Sequence, residues 1–195
     1  MGNSSMDINA TYLLKKIRSV EGKEIDLRIA NGVISELGQA DALAKNESVV
    51  IDGSGLQLLP GLVDLHTHLR EPGREDSETV ATGSLAAVRG GFTAISPMAN
   101  TFPVADTAGV VEQVFSLGEE TGLCDVFPIG AVTEGLLGER LSEIVAMFNS
   151  KAKVRIFSDD GKCVSNAQVM RRALEYVKSF NGIIAQHAQE PTLTV

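Results

Sequence analysis

The sequence predicts an α/β fold: an incomplete (β/α)₈ barrel of the TIM type, with about five βα units, preceded by a small N-terminal β segment. After residue 60, apolar strand-like runs begin about 30 residues apart, and helix-like stretches lie between them. Before residue 60 the chain has short strands and turns with few helical signals. Regular alternation of strands and helices is typical of a parallel sheet with helices packed outside it. We therefore assign residues 1–59 to the N-terminal part of a small β-sandwich domain, and residues 60–195 to the first part of a barrel.

Short strands are predicted for the first segment. Residues 25–29 alternate apolar and polar side chains, as in a half-buried strand. Asn31-Gly32 follows, a strong hairpin signal because both residues of a two-residue turn need positive φ. Apolar residues resume over 33–37, and residues 49–51 predict another strand. A last apolar run, 56–59, ends this segment.

The second segment is predicted to contain five strands with four helices between them. The strands are 62–65, 93–96, 126–132, 154–157 and 183–185. The first helix is predicted to begin at Asp76-Ser77 and the second at Asp106. The third is predicted to carry the apolar residues Leu141, Ile144, Val145 and Phe148. The fourth begins at Ser165 or Asn166, carries Val169, Ala173, Leu174 and Val177 on one face, and stops at Gly182. Glycines 90, 91 and 122 follow the first two helices as stop signals.

Two parallel-sheet folds compete for this pattern. A dinucleotide-binding sheet needs a glycine-rich turn after its first strand, but here the first strand runs into residues 66–70, His-Thr-His-Leu-Arg. An eight-stranded barrel fits better, although it typically needs about 250 residues. The sequence therefore predicts five of the eight strands.

Composition excludes several classes of function. The 195 residues carry 25 acidic and 17 basic side chains, a net charge of −8, which argues against nucleic-acid binding. No apolar run reaches the 18 to 20 residues or so of a membrane span. Residues 1–5 are polar and no apolar leader follows, so no signal peptide is expected. Cys124 and Cys163 lack metal-site spacing, and we expect free thiols and a cytoplasmic location.

The three histidines are the main evidence for a site. His66 and His68 are two residues apart on a predicted strand, so both side chains project from one face near its carboxyl end. Taken alone, this pair is also compatible with chance or with core hydrogen bonds. His187 ends the fifth predicted strand, and Asp159-Asp160 ends the fourth; alone, these indicate a structural histidine and an exposed turn. Because all four features fall on one rim of the barrel, together they predict a zinc site of nitrogen and oxygen ligands.

Two motifs carry a family resemblance. Residues 60–68, Pro-Gly-Leu-Val-Asp-Leu-His-Thr-His, look like the "PGxxDxHxH" signature of the amidohydrolase superfamily. Residues 68–73, His-Leu-Arg-Glu-Pro-Gly, resemble the dihydroorotase family more narrowly. Residues 98–101 resemble its "MPNT" segment, with Ala99 in place of proline. The resemblance runs from about residue 10 to the end.

The resemblance implies a site of one or two zinc ions. It assigns His66 and His68 to the first metal, Asp160 to a metal-bridging carboxylate and His187 to the second metal. Asp159 is the second choice for the bridge, because one position of alignment separates the two aspartates. A carboxylated Lys162 is the less favoured alternative, because Asp160 occupies the matching position.

The resemblance also implies how a small anionic substrate binds. It assigns His68, Arg70 and Asn100 to substrate contacts, and the planar guanidinium of Arg70 suits a carboxylate. The competing interpretation of Arg70 is a surface charge paired with Glu71 or Glu75.

The implied activity is the reversible cyclisation of N-carbamoyl-L-aspartate to L-dihydroorotate in pyrimidine synthesis. The general acid/base aspartate and a further histidine are expected beyond Val195, so we expect the isolated chain to be an N-terminal fragment, poorly soluble and of little activity. Two alternatives stay open: an allantoinase-like or hydantoinase-like cyclic-amide hydrolase, and a non-catalytic scaffold subunit. Self-association and a complex with aspartate transcarbamoylase are the expected protein contacts.

Overall fold

A computed structural model describes residues 10–44, 48–190 and 192–194. The chain divides into two compact units, the first ending at Pro60 and the second beginning at Gly61. Residues 1–5, for which the sequence predicted no leader, lie outside the described residues. In the described parts of the chain, no helix is both long enough and apolar enough to cross a membrane.

The first unit is a four-stranded sheet. Its strands are β1 (Tyr12–Arg18), β2 (Glu24–Ala30), β3 (Val33–Gln39) and β4 (Val49–Asp52). Their order in the sheet is β3-β2-β1-β4, with β1 antiparallel to β2, β2 antiparallel to β3 and β1 parallel to β4. Leu13, Ile17 and Leu27 form its buried apolar centre.

The predicted hairpin is confirmed, whereas β1 was not individually predicted. Asn31 and Gly32 lie between β2 and β3 with φ of 52° and 74°, as a turn of this kind requires. In β1 the pairing register shifts between Leu14 and Ile17, and Lys16 has φ of 57°. This irregularity breaks the alternation that a sequence pattern needs.

The second unit alternates strands and helices. Its elements are β5 (Leu62–Thr67), α1 (Val80–Arg89), β6 (Phe92–Pro97), α2 (Ala108–Thr121), β7 (Asp125–Val126), α3 (Ile144–Asn149), β8 (Ile156–Phe157), α4 (Ala167–Lys178) and β9 (Ile183–Ile184), with a short 3₁₀ turn at Glu134–Leu136. All five predicted strand regions contain an observed strand, so this alternation is confirmed.

The strands of the second unit are parallel and follow chain order. β5, β6 and β7 form one sheet and β8 pairs with β9. A parallel bridge between Gly130 and Phe157 links the β7 region to β8. The described residues therefore form a mixed α/β unit that does not close into a barrel. The same ends of all five strands lie along one edge, and this edge positions the site.

Helices and loops cover one side of these strands. Phe157 of β8 is fully buried with Ile144 and Met147 of α3 and with Val132 of the preceding loop. By contrast, the apolar side chains of β5 are exposed: Leu62, Val63 and Leu65.

Two predicted helix starts were wrong. α1 begins after Thr79, not at Asp76-Ser77, because Thr79 and Thr82 cap each other reciprocally. α2 begins after Thr107, and the Asp106 carboxylate instead accepts the Gly135 N–H at 2.8 Å. A contact between residues distant in sequence thus replaced a local cap.

Other boundaries also moved. β7 is shorter than predicted, because the chain after it changes partner: Ile129 N–H bonds to β6, whereas Gly130 N–H bonds to Ile156. The predicted cap of α4 is confirmed at Asn166, whose side chain accepts two backbone N–H groups. Leu174, predicted for the apolar face of α4, is half exposed, and Leu141 lies outside α3. α4 ends at Lys178, four residues before the predicted stop.

Candidate metal centre

Two imidazoles meet at the end of β5. His66 lies in β5 and His68 follows its last residue, and alternate residues of a strand project from the same face. Their ring centroids are 5.4 Å apart and the rings are inclined at 72°. The Asp64 side chain accepts the backbone N–H of His66 at 3.0 Å, which tightens the backbone at this point.

Asp160 approaches both rings from the end of β8. Its Oδ1 is 3.2 Å from His66 Nε2, and its Oδ2 is 3.6 Å from His68 Nε2. One ligand atom from each of the three residues lies within 4.8 Å of the others. The carboxylate side chain is only 10% exposed. Two imidazole nitrogens and a buried carboxylate oxygen suit a zinc ion that keeps an open position.

The neighbouring aspartate has a different environment. Asp159 is 1% exposed, and its Oδ1 accepts the backbone N–H groups of Val132 and Thr133 at 2.8 and 3.0 Å. Its Oδ2 accepts the Thr133 hydroxyl. These three bonds fasten the end of β8 to the loop after β7. Of the two candidates for the bridge, the geometry therefore favours Asp160.

His187 lies at the margin of this cluster. It follows β9, and its Nδ1 is 3.9 Å from Asp160 Oδ1. Its Nε2 is 2.8 Å from Gln189 Oε1, in the same segment. The structure thus brings His187 to the shared carboxylate but leaves it outside the compact group of three. The Gln189 contact had no sequence signal.

Asn100 joins the cluster instead of standing apart from it. Its Nδ2 donates to Asp160 Oδ2 at 3.0 Å, and its Oδ1 is 3.0 Å from His68 Nδ1. The sequence predicted a substrate contact for Asn100. Its two contacts with metal-ligand candidates were not predicted.

Arg70 is half-buried and has a positive φ of 59°. Glu71 and Glu75, the predicted alternative ion-pair partners of Arg70, have other hydrogen-bond partners. Glu71 accepts the Val80 N–H at 2.8 Å and Glu75 accepts the Gly73 N–H at 2.7 Å. The Gly73 amide also lowers the pKa of Glu75. Among the residues that the structure describes, the Arg70 guanidinium has no hydrogen bond or ion pair, which leaves it available to an anion.

Lys162 does not contribute its side chain to this cluster. Its backbone N–H donates to the Asp159 carbonyl at 2.8 Å, and the residue is exposed. The contact of the Asp64 side chain with the His66 backbone N–H was not predicted, although Asp64 is the aspartate of the quoted signature.

Comparisons with known proteins show the family of this chain. The family model described as dihydro-orotase-like matches residues 55–195. The chain belongs to the dihydro-orotase-like family. It is 61% identical over 184 residues to a dihydroorotase of Leifsonia xyli subsp. xyli and 60% identical over 182 residues to a dihydroorotase of Streptomyces coelicolor. These alignments cover 94% and 93% of this chain, but only 42% of each relative.

The fold also resembles that of solved amidohydrolases. A dihydropyrimidinase from Brevibacillus agri matches 92% of this chain and 40% of its own length, with a TM-score of 0.67 and 19% identity. At this identity the likeness concerns the fold alone. The dihydro-orotase-like family implies a metal cofactor, and the donor set of His66, His68 and Asp160 fits one.

Proposed function

We propose that this chain is the N-terminal part of a zinc-dependent dihydroorotase. The reaction is the reversible cyclisation of N-carbamoyl-L-aspartate to L-dihydroorotate, in pyrimidine synthesis. The observation that carries the proposal is the meeting of His66, His68 and Asp160 at one edge of the parallel strands, in a chain 61% identical to a dihydroorotase. The proposed architecture is the first five βα units of a (β/α)₈ barrel, together with part of a small β-sandwich domain.

The metal centre of the proposal holds one or two zinc ions. His66, His68 and Asp160 hold the first, and His187 together with Asp160 serves the second. A zinc ion held by these residues would lower the pKa of a bound water and would polarise a carbonyl group. Asp159 binds no metal in this scheme but fixes the backbone that carries Asp160, through its bonds to the loop after β7.

The substrate carboxylate lies against Arg70 and Asn100. Arg70 has no anionic partner within the described residues, and its guanidinium can form two parallel hydrogen bonds to a carboxylate. One N–H of Asn100 is used by Asp160, and the other is left for the substrate. His68, whose Nδ1 is 3.0 Å from Asn100 Oδ1, is the third residue proposed to contact the substrate.

The remaining machinery belongs to the part of the relatives that this chain does not span. The proposal places the general acid/base aspartate there, together with the last strands of the barrel. The exposed apolar side chains of β5 support a covering segment or partner. A homo-oligomer, an aspartate transcarbamoylase partner and a cytoplasmic location remain part of the proposal.

The test compares two substrates and two arginine variants in the full-length protein. Arg70→Ala is expected to lower kcat/KM for L-dihydroorotate about 10- to 100-fold, the effect of losing a hydrogen bond to a charged group. Dihydrouracil, which lacks the carboxylate, should be hydrolysed poorly by the wild type and by Arg70→Ala. Arg74→Ala is the matched control, because Arg74 is exposed on the same loop. Equal turnover of the two substrates, or an unaffected Arg70 variant, would favour a neutral-ring hydrolase instead.

A further inference from the structure

Asn100 makes two contacts that substrate binding alone does not require. We propose that Asn100 is a positioning residue for His68: its amide holds the neutral ring in the form protonated on Nδ1 and so presents Nε2 to the metal. This inference rests on the proposed metal centre, since His68 is one of its ligands. It adds a role that the family resemblance does not imply.

The hydrogen bonds determine which way the amide faces. An ionised carboxylate only accepts hydrogen bonds, so the Asn100 group 3.0 Å from Asp160 Oδ2 must be the NH₂. The amide oxygen then faces His68 Nδ1 at 3.0 Å. An amide oxygen also only accepts, so Nδ1 must carry the proton. The reversed amide would oppose two acceptors at Asp160.

A fixed tautomer has a direct consequence for metal binding. A neutral imidazole carries one proton, so protonation of Nδ1 leaves the lone pair on Nε2. Nε2 is the His68 nitrogen that approaches Asp160, at 3.6 Å from Oδ2. Ligating histidines commonly donate their other ring N–H to an acceptor, and such acceptors raise metal affinity. In this chain the acceptor is Asn100.

The backbone holds Asn100 close to His68. Met98 N–H donates to the carbonyl of Thr67 at 2.9 Å, which joins the loop after β6 to the residue before His68. Ala99 is fully buried, and its carbonyl accepts the N–H groups of Thr101 and Ala105 at 2.9 and 3.0 Å. The amide is therefore carried by a well-anchored turn.

The decisive measurement is the position of the His68 proton in the metal-free, intact protein. Histidine-selective ¹⁵N labelling and long-range ¹H–¹⁵N correlation spectra report it, with the His68 signals assigned by their loss in His68→Gln. We expect the wild type to be protonated on Nδ1. Asn100→Ala should shift His68 towards protonation on Nε2, which free histidine favours.

Metal affinity gives the second readout. Titration with Co²⁺, followed by its visible absorption, should show affinity about 10- to 100-fold weaker in Asn100→Ala. Arg70→Ala removes another predicted substrate contact without changing a proposed metal ligand, so its Co²⁺ affinity should stay within about threefold of wild type, a change of under 1 kcal/mol. Thr101→Val controls for damage to the turn.

The outcomes separate the two proposals. A wild-type His68 protonated on Nε2, or an Asn100→Ala variant with unchanged tautomer, would overturn the positioning role whether or not metal binds. An unchanged Co²⁺ affinity in Asn100→Ala would confine Asn100 to substrate binding. Failure of the wild type to bind Co²⁺ or Zn²⁺ would overturn the metal centre, and the proton position would still decide how Asn100 acts on His68.

Discussion

Each unit of the protein contains a buried carboxylate, and their surroundings differ. Asp26, in the first unit, is fully buried and accepts backbone N–H groups from Lys16 and Leu43 at 3.1 and 3.3 Å. The Lys15 ammonium lies 3.7 Å away. In the second unit, Asp160 has one amide donor and otherwise faces imidazole nitrogens. A carboxylate saturated by donors stabilises a fold, whereas one that faces metal-ligand atoms is suited to bind a cation.

The largest effect is expected at Asp160. Asp160→Asn keeps the shape but removes the charge that faces His66 and His68. Loss of a residue that only hydrogen-bonds to a metal ligand costs about 10- to 100-fold in metal affinity, so loss of the ligand itself should cost more than about 100-fold. Co²⁺ titration of the purified variant measures the change. The metal-free protein should unfold within about 1 kcal/mol of wild type, because the isosteric amide still accepts from Asn100.

Asp159→Asn is the matched control for this substitution. It alters the adjacent carboxylate but leaves all three proposed ligands in place, so the Co²⁺ affinity should change less than about tenfold. Comparable losses of Co²⁺ affinity in the two variants would contradict the assignment of Asp160 to metal binding and of Asp159 to structure alone.

The second largest effect concerns stability. In Asp159→Asn the amide nitrogen faces the Thr133 hydroxyl, and the charged bonds to Val132 and Thr133 become neutral. Hydrogen bonds to charged groups contribute about 1.5–3 kcal/mol each, against about 1 kcal/mol for neutral ones. We expect the free energy of unfolding to fall by about 2–4 kcal/mol, measured by urea denaturation. Thr133→Val should lose part of this free energy. Full stability in both variants would show that the bonds of Asp159 to Val132 and Thr133 do not stabilise the fold.

The sequence predicted those features that depend on neighbours along the chain. The period of two placed His66 and His68 together, and the positive φ of Gly32 followed from its turn. The cap at Asn166 was likewise local. In each case the chemistry of a few adjacent residues determines the structure, so no knowledge of the rest of the fold is needed.

Features that depend on distant partners were missed. Asp106 was expected to cap α2, but it accepts the N–H of Gly135, 29 residues away. The choice between Asp159 and Asp160 stayed open because it depends on the loop at Val132, and no pattern in the sequence reports that loop. For the same reason, the bonds of Asn100 to two site residues could not be foreseen.

The smallest effect is expected at Asp26, and it depends on pH. Burial would raise the pKa of this carboxyl, but the N–H groups of Lys16, Asp41 and Leu43 and the charge of Lys15 together lower it. Stabilisation from a lowered pKa is fully present above the unfolded-state value of about 3.9, and it is lost as the pH falls through the lower folded-state value. The bonds to Asp26 are longer than those to Asp159, so we expect a loss of about 1–2 kcal/mol in Asp26→Asn at neutral pH.

Thermal unfolding between pH 7 and pH 2 tests this expectation. The wild type should lose stability across the acidic range, and Asp26→Asn should lose less, because its amide does not titrate. Asp52→Asn is the control, since Asp52 is an exposed carboxyl of the same sheet whose pKa is lowered mainly by Ser54. The Asp26 and Asp52 variants could instead lose stability equally as the pH falls. In that case the buried donors around Asp26 would give it no larger effect on stability than a surface carboxylate has. The contrast with Asp160 would then rest on metal binding alone.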